Sequence, residues 1–475
     1  MSVSPAGDVG VIEQRTIAPV PDDERHGRVR DLFTIWFGSN VMLLTIVTGA
    51  LATTVYGLSL AWSALAIVVG NLVGAVFMAL HSAQGPKLGV PQMIQSRGQF
   101  GAYGAIVVVI VVIIMYVGFV ASNLVLGGQS INELAGGLSV NVGIIICAAI
   151  PLGICVAGYD VIHLVNRWAT WIAGIVLVAA VVALFIKGAP HGTLSRGDYN
   201  TSGFVAMIAV GVLWQIAYAP YVSDYSRYLP QSTPVADTFW ASYWGCVLGS
   251  ALPMVFGALL GSALPGSDQI SAMHSLTGGI GWLVVLVLGV GIVNTTAINI
   301  YGAVLGVVTV GQTFKIDWLP RATTRILLGT VVAIITAVMA IAGKDNFVTN
   351  YTNFIFLLLY LLIPWTAINL VDFYLVKHGR YDVGSFFKPD GGIYGRFNVP
   401  ACAVYVIGVA VQVPFISTEL FTGPVAKSLS DVDLSWLVGL VVVCPLYYYA
   451  ARRYLVRKPP TGTVAESEIP VVEVT

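Results

Sequence analysis

Long apolar runs separated by short polar segments dominate this chain. Twelve such runs recur, at about 32–56, 60–82, 103–131, 140–158, 168–187, 203–223, 238–263, 280–310, 325–343, 350–376, 399–417 and 433–451. A helix needs about 20 mainly apolar residues to cross the hydrocarbon core of a bilayer. The pattern therefore predicts an all-α integral membrane protein with 12 transmembrane helices in one membrane domain, residues 31–455. The stretch 1–30 is polar and mixed in charge, with Asp22, Asp23, Glu24, Arg25 and Arg28. It lacks the apolar segment of a cleavable signal. It reads as an exposed, disordered tail, and so does 456–475.

Composition agrees with that picture. Hydrophobic residues make up 57% of the chain and charged residues 10%, against about 25% charged in soluble domains. A formal net charge of zero leaves no basic field for nucleic acid. Cys147, Cys155, Cys246, Cys402 and Cys444 lie in apolar runs at unrelated spacings, as small buried hydrophobes do. With the N-terminus inside, nineteen Lys and Arg fall on the inner side and four (Lys187, Arg196, Lys344, Lys427) on the outer. Cytoplasmic loops attract Lys and Arg, so both termini are expected in the cytoplasm of a multi-pass plasma-membrane protein. The longest inner loop, about 377–398, is too short for a catalytic domain. No metal cluster, nucleophile–base pair or phosphate loop supports an enzyme, and any function must sit within the bundle.

Polar side chains are costly in lipid, so their positions inform. The first run contains Gly38-Ser39-Asn40, poor helix formers that suit a local break. The sixth contains Trp214, Gln215 and Tyr218 just before Pro220, which interrupts a helix. Breaks five helices apart fit two five-helix units repeated with inverted topology, whose substrate and ion sites lie at the midplane beside the breaks. In the third run Phe119 and Asn123 share a helix face. A ring and a carboxamide one turn apart suit a flat, hydrogen-bonding heteroaromatic solute. In the eighth run Asn294, Thr295, Thr296 and Asn299 fall within six residues. Their oxygens are the ligands a small hard cation takes. Close helix packing and interhelical hydrogen bonds are the alternative for each of these features. No ionisable side chain sits mid-run; Glu133, Asp160, His163 and Asp372 fall near the ends. A neutral solute follows, and Na⁺ is favoured over H⁺ as coupling ion.

Three segments carry a family resemblance: Ala219-Pro220-Tyr221 through Asp224 with Arg227-Tyr228, Gly118-Phe119-x-x-x-Asn123-x-x-x-Gly127-x-Gln129, and Ser96-Arg97-Gly98-Gln99-Phe100-Gly101. In order and on a twelve-run frame, from about residue 25 to 455, the chain resembles the purine–cytosine permease family, the nucleobase:cation symporters. The resemblance implies a five-plus-five inverted repeat (leucine-transporter-like) plus two C-terminal helices. It implies that Phe119 stands where the family usually has a base-stacking Trp, that Asn123 and Asn299 bond the base, and that Trp214 or Gln215 faces its other side. It also implies a Na⁺ site of the Gly38 and Val41 carbonyls with Asn294 and Thr295, where Asn294 replaces a hydroxyl. Proton-coupled relatives lack that hydroxyl pair, so H⁺ stays open. The resulting expectation is a cation-coupled importer of a neutral nucleobase, cytosine or a purine. The alternative is another flat heterocycle, such as uracil, allantoin, hydantoin or a thiamine precursor. No cofactor beyond the coupling ion is expected.

Overall fold

A computed structural model describes residues 17–157, 159–315, 318 and 322–457, with side chains throughout except those of 154–170, 322 and 454–457. Arg15, Arg321, Lys458 and the tail stretches 1–16 and 458–475 lie outside the described residues, as do the side chains of Cys155, Asp160, His163, Arg167 and Arg457. The described chain is helical, with no strand among the described residues.

The first apolar run forms α1 (Val29–Asn40) and α2 (Leu43–Thr54), and the second forms α3 (Leu60–Ser82). Two short helices, α4 (Gln84–Leu88) and α5 (Gln92–Phe100), lead to α6 (Ala105–Ala135). Next come α7 (Val140–Ala157) and α8 (Tyr159–Lys187), then α9 (Thr201–Ile216) and α10 (Ala219–Ser226) on the sixth run. α11 (Val235–Ala263), the short α12 (Gln269–Leu276) and α13 (Gly281–Phe314) follow. α14 (Ala322–Gly343) precedes α15 (Phe347–Leu370), which continues into a π turn at Val371–Val376. α16 (Val399–Gln412), α17 (Pro424–Ser428) and α18 (Ser435–Arg457) complete the described helices. Each of the twelve apolar runs thus lies on a helix or a broken pair. Among the described residues, seven helices are long and apolar enough to cross a membrane, or up to eight when the bent pair α1–α2 is one span.

Both expected breaks are present. α1 and α2 meet at 60° across Val41–Met42. Met42 is extended (φ −150°, ψ 167°), and the Asn40 carbonyl accepts the Met42 N–H at 3.0 Å. α9 ends at Ile216 and α10 restarts at Ala219, with Pro220 in its first turn, where its missing N–H removes no helical bond.

The helices pack in groups. α1, α2, α3, α9 and α11 form one, and α6, α7, α8, α13 and α14 another, while α15, α16 and α18 lie together. Ile17 and Val20, in the stretch read as an exposed tail, are both buried: Ile17 sits in a small cluster with Leu88, Val90, Phe373 and Phe386, and the Val20 N–H donates to the Gly89 carbonyl at 3.0 Å. The Arg25 guanidinium bonds the Pro86 carbonyl at 3.0 Å and holds this segment down. Its two spaced apolar residues are what dock it.

The tightest approach is between α2 and α11. A Cβ on Gly49 would overlap the backbone of Met254, and one on Gly257 the backbone of Ile46. Small residues let helices approach where lipid supplies no hydrophobic drive. Gly257→Leu is therefore expected to destabilise the protein by about 1–3 kcal/mol or more. The loss should appear as a lowered melting temperature in detergent and less folded protein in the membrane.

Candidate functional site

The two breaks place their loose ends around a common space. A cavity of about 20 Å³ is lined by Met42 and Leu44 of the first run, Phe119 and Asn123 of α6, Trp214 of α9, Tyr218 and Tyr221 of the sixth run, and Thr295 and Asn299 of α13. Ala217 completes the lining. None of these side chains carries a charge.

The aromatic walls meet at steep angles. Phe119 and Trp214 lie 6.2 Å apart with planes at 82°, and Phe119 meets Phe354 of α15 at 5.4 Å, again edge-on. Tyr218 and Tyr221 continue the wall at 5.8 Å, and Tyr116 backs Tyr221 at 5.5 Å. A planar solute can stack on one of Phe119 and Trp214 while meeting the other by its edge. The Trp214 indole N–H donates to Asn40 Oδ1 at 2.6 Å, which fixes its ring.

Asn123 is the distinctive polar group. It is fully buried, and neither its Nδ2 nor its Oδ1 has a protein partner. Buried polar groups are nearly always satisfied. A carboxamide left open against a cavity presents a donor and an acceptor to whatever occupies that cavity.

Of the residues singled out from sequence, the fold brings together Phe119, Asn123, Trp214, Thr295 and Asn299. Gln215 goes elsewhere. Its Nε2 donates to Asn71 Oδ1 at 2.7 Å and Ser250 Oγ at 3.1 Å, between α3 and α11. Successive residues on a helix point roughly 100° apart, so Trp214 and Gln215 cannot both face the cavity. Asn294 does not line the cavity for the same reason, beside Thr295 which does. The Gly38 carbonyl accepts the Val41 N–H at 3.2 Å, and neither residue lines the cavity. Gly291 of α13 approaches the Val41 carbonyl, a Cβ there standing 3.5 Å from that oxygen. The Thr295 hydroxyl donates to the Gly291 carbonyl at 3.0 Å, which leaves its oxygen lone pairs free to accept or ligate. Of the four expected ion residues, Val41 and Thr295 both lie against Gly291, where the first break meets α13. Among the described residues no group of three His, Cys, Asp or Glu could hold a metal, and the four described cysteines are free.

Sequence reasoning missed Tyr218 and Tyr221 as wall residues. It also missed Asn40, Asn71 and Ser250 behind them. The signal was available, since Asn71 and Ser250 are polar residues within apolar runs two and seven.

A second, larger cavity of about 610 Å³ lies beyond the site and is lined by Thr54, Leu58, Leu126, Gln129, Arg196, Asp268 and Lys344 among others. Leu126 is three residues past Asn123 on α6, roughly 4.5 Å along the axis.

The sequence family described as "Permease for cytosine/purines, uracil, thiamine, allantoin" matches residues 19–439. The chain is 38% identical over 450 residues to "Putative purine-cytosine permease YxlA" of Bacillus subtilis, covering 94% of this chain and 97% of that one. It is 26% identical over 472 residues to the purine-cytosine permease fcyB of Emericella nidulans, covering 94% and 88%. The fold superposes with TM-score 0.76 on Mhp1, a nucleobase-cation-symport-1 family transporter in a closed conformation with bromovinylhydantoin bound. That match covers 95% of this chain and 98% of Mhp1, and at 19% identity it is a likeness of fold alone.

Proposed function

The chain belongs to the family of permeases for cytosine/purines, uracil, thiamine and allantoin, and from that premise we propose that it imports a neutral nucleobase, cytosine or a purine, together with a cation. As a member of a transporter family it is a multi-pass membrane protein and not an enzyme. The observation that carries the substrate reading is the buried, partnerless Asn123 carboxamide in an uncharged cavity walled by Phe119, Trp214, Tyr218 and Tyr221. Rings supply a face for stacking, and the amides of Asn123 and Asn299 read the edge of the base. The absence of charge from the lining disfavours an ionic solute, whose desolvation nothing would offset.

Twelve spans are reached by counting the bent pair once, the run Thr323–Val376 twice, and the shorter helices Val140–Gly153, Trp171–Lys187 and Val399–Phe415. A run of 54 residues is far too long for one crossing. The pairing of the helices favours the five-plus-five repeat. The first and second runs pack with the seventh and sixth, and the third and fourth with the eighth and ninth. The transporter domain is residues 31–455, and the side bearing the nineteen basic residues is the cytoplasm. A reporter active only in the cytoplasm should give signal when fused after Thr475 and none when fused after Lys344; the reverse pattern overturns this orientation.

The cavity has room for a water molecule, so a base enters as its walls part. The larger cavity beyond Leu126 and Gln129 is the path by which it arrives. Uptake of radiolabelled cytosine, adenine and hypoxanthine into cells expressing the chain tests the reading, with uracil, allantoin, hydantoin and thiamine as competitors. Asn123→Ala should weaken apparent affinity by about 1–3 kcal/mol, because the edge of the base is left unpaired in a dry site. An unchanged affinity in a variant that reaches the membrane rules out this role.

The cation is proposed as Na⁺, held by the Gly38 and Val41 carbonyls with Asn294 and Thr295. Oxygen ligands without a carboxylate suit a monovalent ion better than Ca²⁺ or Mg²⁺. Ion and base favour one conformation, so their affinities are linked. Thr295→Val should raise the Na⁺ concentration needed for half-maximal uptake and lower apparent base affinity at fixed Na⁺. The measurement replaces Na⁺ stepwise by choline at constant pH. Uptake that ignores Na⁺ but vanishes when the pH gradient is collapsed assigns the coupling to H⁺ and leaves Thr295 as a packing residue.

A further inference from the structure

We propose that Asn40 is the positioning residue of the substrate wall: its carboxamide sets the Trp214 ring against the cavity and ties that ring to the break in the first run. The inference rests on the base-binding reading of the cavity. Asn40 ends α1, is fully buried, and is not itself in the cavity lining.

Its bonds reach four helices. Nδ2 donates to the Trp36 carbonyl at 2.7 Å, which locks the amide plane against its own helix. Oδ1 then accepts twice, from Trp214 Nε1 of α9 at 2.6 Å and from Ser250 Oγ of α11 at 2.8 Å. The Asn40 main-chain carbonyl accepts the Met42 N–H and the Thr45 hydroxyl of α2, across the break. Ser250 Oγ also accepts from Gln215 Nε2 at 3.1 Å, so the residue beside Trp214 is held through the same hub.

A buried indole N–H needs an acceptor, so the orientation of the Trp214 ring follows Asn40 Oδ1. Trp214 stands edge-on to Phe119 at 82°, and rotating it would change which face the cavity presents. Asn40 lies between Gly38 and Val41, whose carbonyls belong to the proposed cation site. A shift of that peptide when the cation binds moves Oδ1, and the base feels it through Trp214. One carboxamide thereby couples the two sites.

The test is base uptake by wild type, Asn40→Leu, Trp214→Phe and Asn40→Leu/Trp214→Phe, each normalised to surface copies. Asn40→Leu keeps the branched shape and removes the acceptor. It should raise apparent KM for the base about tenfold and leave the maximal rate within about twofold, the loss expected of one buried hydrogen bond. In the double variant the losses should not multiply, because Trp214→Phe has already removed the donor. An unchanged KM in Asn40→Leu overturns the proposal, as do multiplying losses. Should Asn40→Leu not reach the membrane, Asn40→Ser, too short to reach Nε1, replaces it with the same expectations; if neither inserts, Asn40 is a structural residue only and the proposal fails. A wild-type chain that takes up no base overturns the base reading and this inference with it, whereas wild-type uptake with an indifferent Asn40→Leu overturns the inference alone.

Discussion

A backbone that leaves the helix inside a bilayer must find new partners for its N–H and C=O groups, because hydrocarbon offers none. This chain does so at Val41–Met42, whereas at Ala217–Tyr218 the α-helical ladder is interrupted while both residues keep right-handed helical dihedrals. Broken helices are stable in a membrane only where protein buries them or they line a cavity. Here both conditions hold. The Asn40 carbonyl takes the Met42 N–H and the Thr45 hydroxyl, and Pro220 stands in the first turn of α10, where no helical donor is needed. α11 lies against the first break so closely that Gly49 and Gly257 leave no room for a side chain. The breaks are therefore built features, and the cavity lies beside them.

The chemistry of that cavity follows from what surrounds it. The Phe119 and Trp214 rings stand at a steep angle to one another, and the Trp214 ring is held by one indole hydrogen bond. Around the cavity the polar groups divide into two kinds. Those of Asn40, Asn71, Ser250 and the Gln215 Nε2 are bonded to one another and to Trp214, and hold helices together, while the Gln215 Oε1 is buried without a partner. That of Asn123 is spent on nothing in the protein. Spacing along a helix cannot draw the distinction, since Trp214 and Gln215 are neighbours with opposite fates.

How much was legible depended on whether a feature is local. Apolar length is local, and every run of the sequence falls on a helix. Helix breakers are local too, so Gly38-Ser39-Asn40 and Pro220 marked both discontinuities. The Phe119–Asn123 pair was legible because four residues apart on a helix means one face. Gln215 was misplaced because its direction depends on Asn71 and Ser250, 144 and 35 residues away. Tyr218 and Tyr221 were passed over because they flank the break, where helical periodicity no longer says which way a side chain points. Ile17 and Val20 were read as tail because two apolar residues in a polar stretch carry no periodic signal. Ile17 finds its cluster only with Leu88, Val90 and Phe386, which chain order keeps far away.

The two ends of the bundle differ in a way that bears on how a solute would pass. At the end marked by Leu58, Arg196 and Lys344 the helices part around a cavity of about 610 Å³ that reaches Leu126 and Gln129, just above Asn123. At the far end of α3 the space is filled by side chains. Gln92 bonds Gln84, Gln84 bonds Asn369, Asn369 bonds Gln99, Gln99 bonds Tyr381, and Tyr381 and Tyr447 bond the buried Asp372 carboxylate. The Arg97 guanidinium ties this chain to the Phe386 and Thr309 carbonyls, and Lys377 bonds the Gly98 carbonyl. The segment around Ile17 and Arg25 is laid over the same end. Opening that end would require many hydrogen bonds to be exchanged for water. Such bonds are each worth little net when water replaces them, but costly if left unmade. A polar closure is thus one that water can open, whereas an apolar one would stay shut.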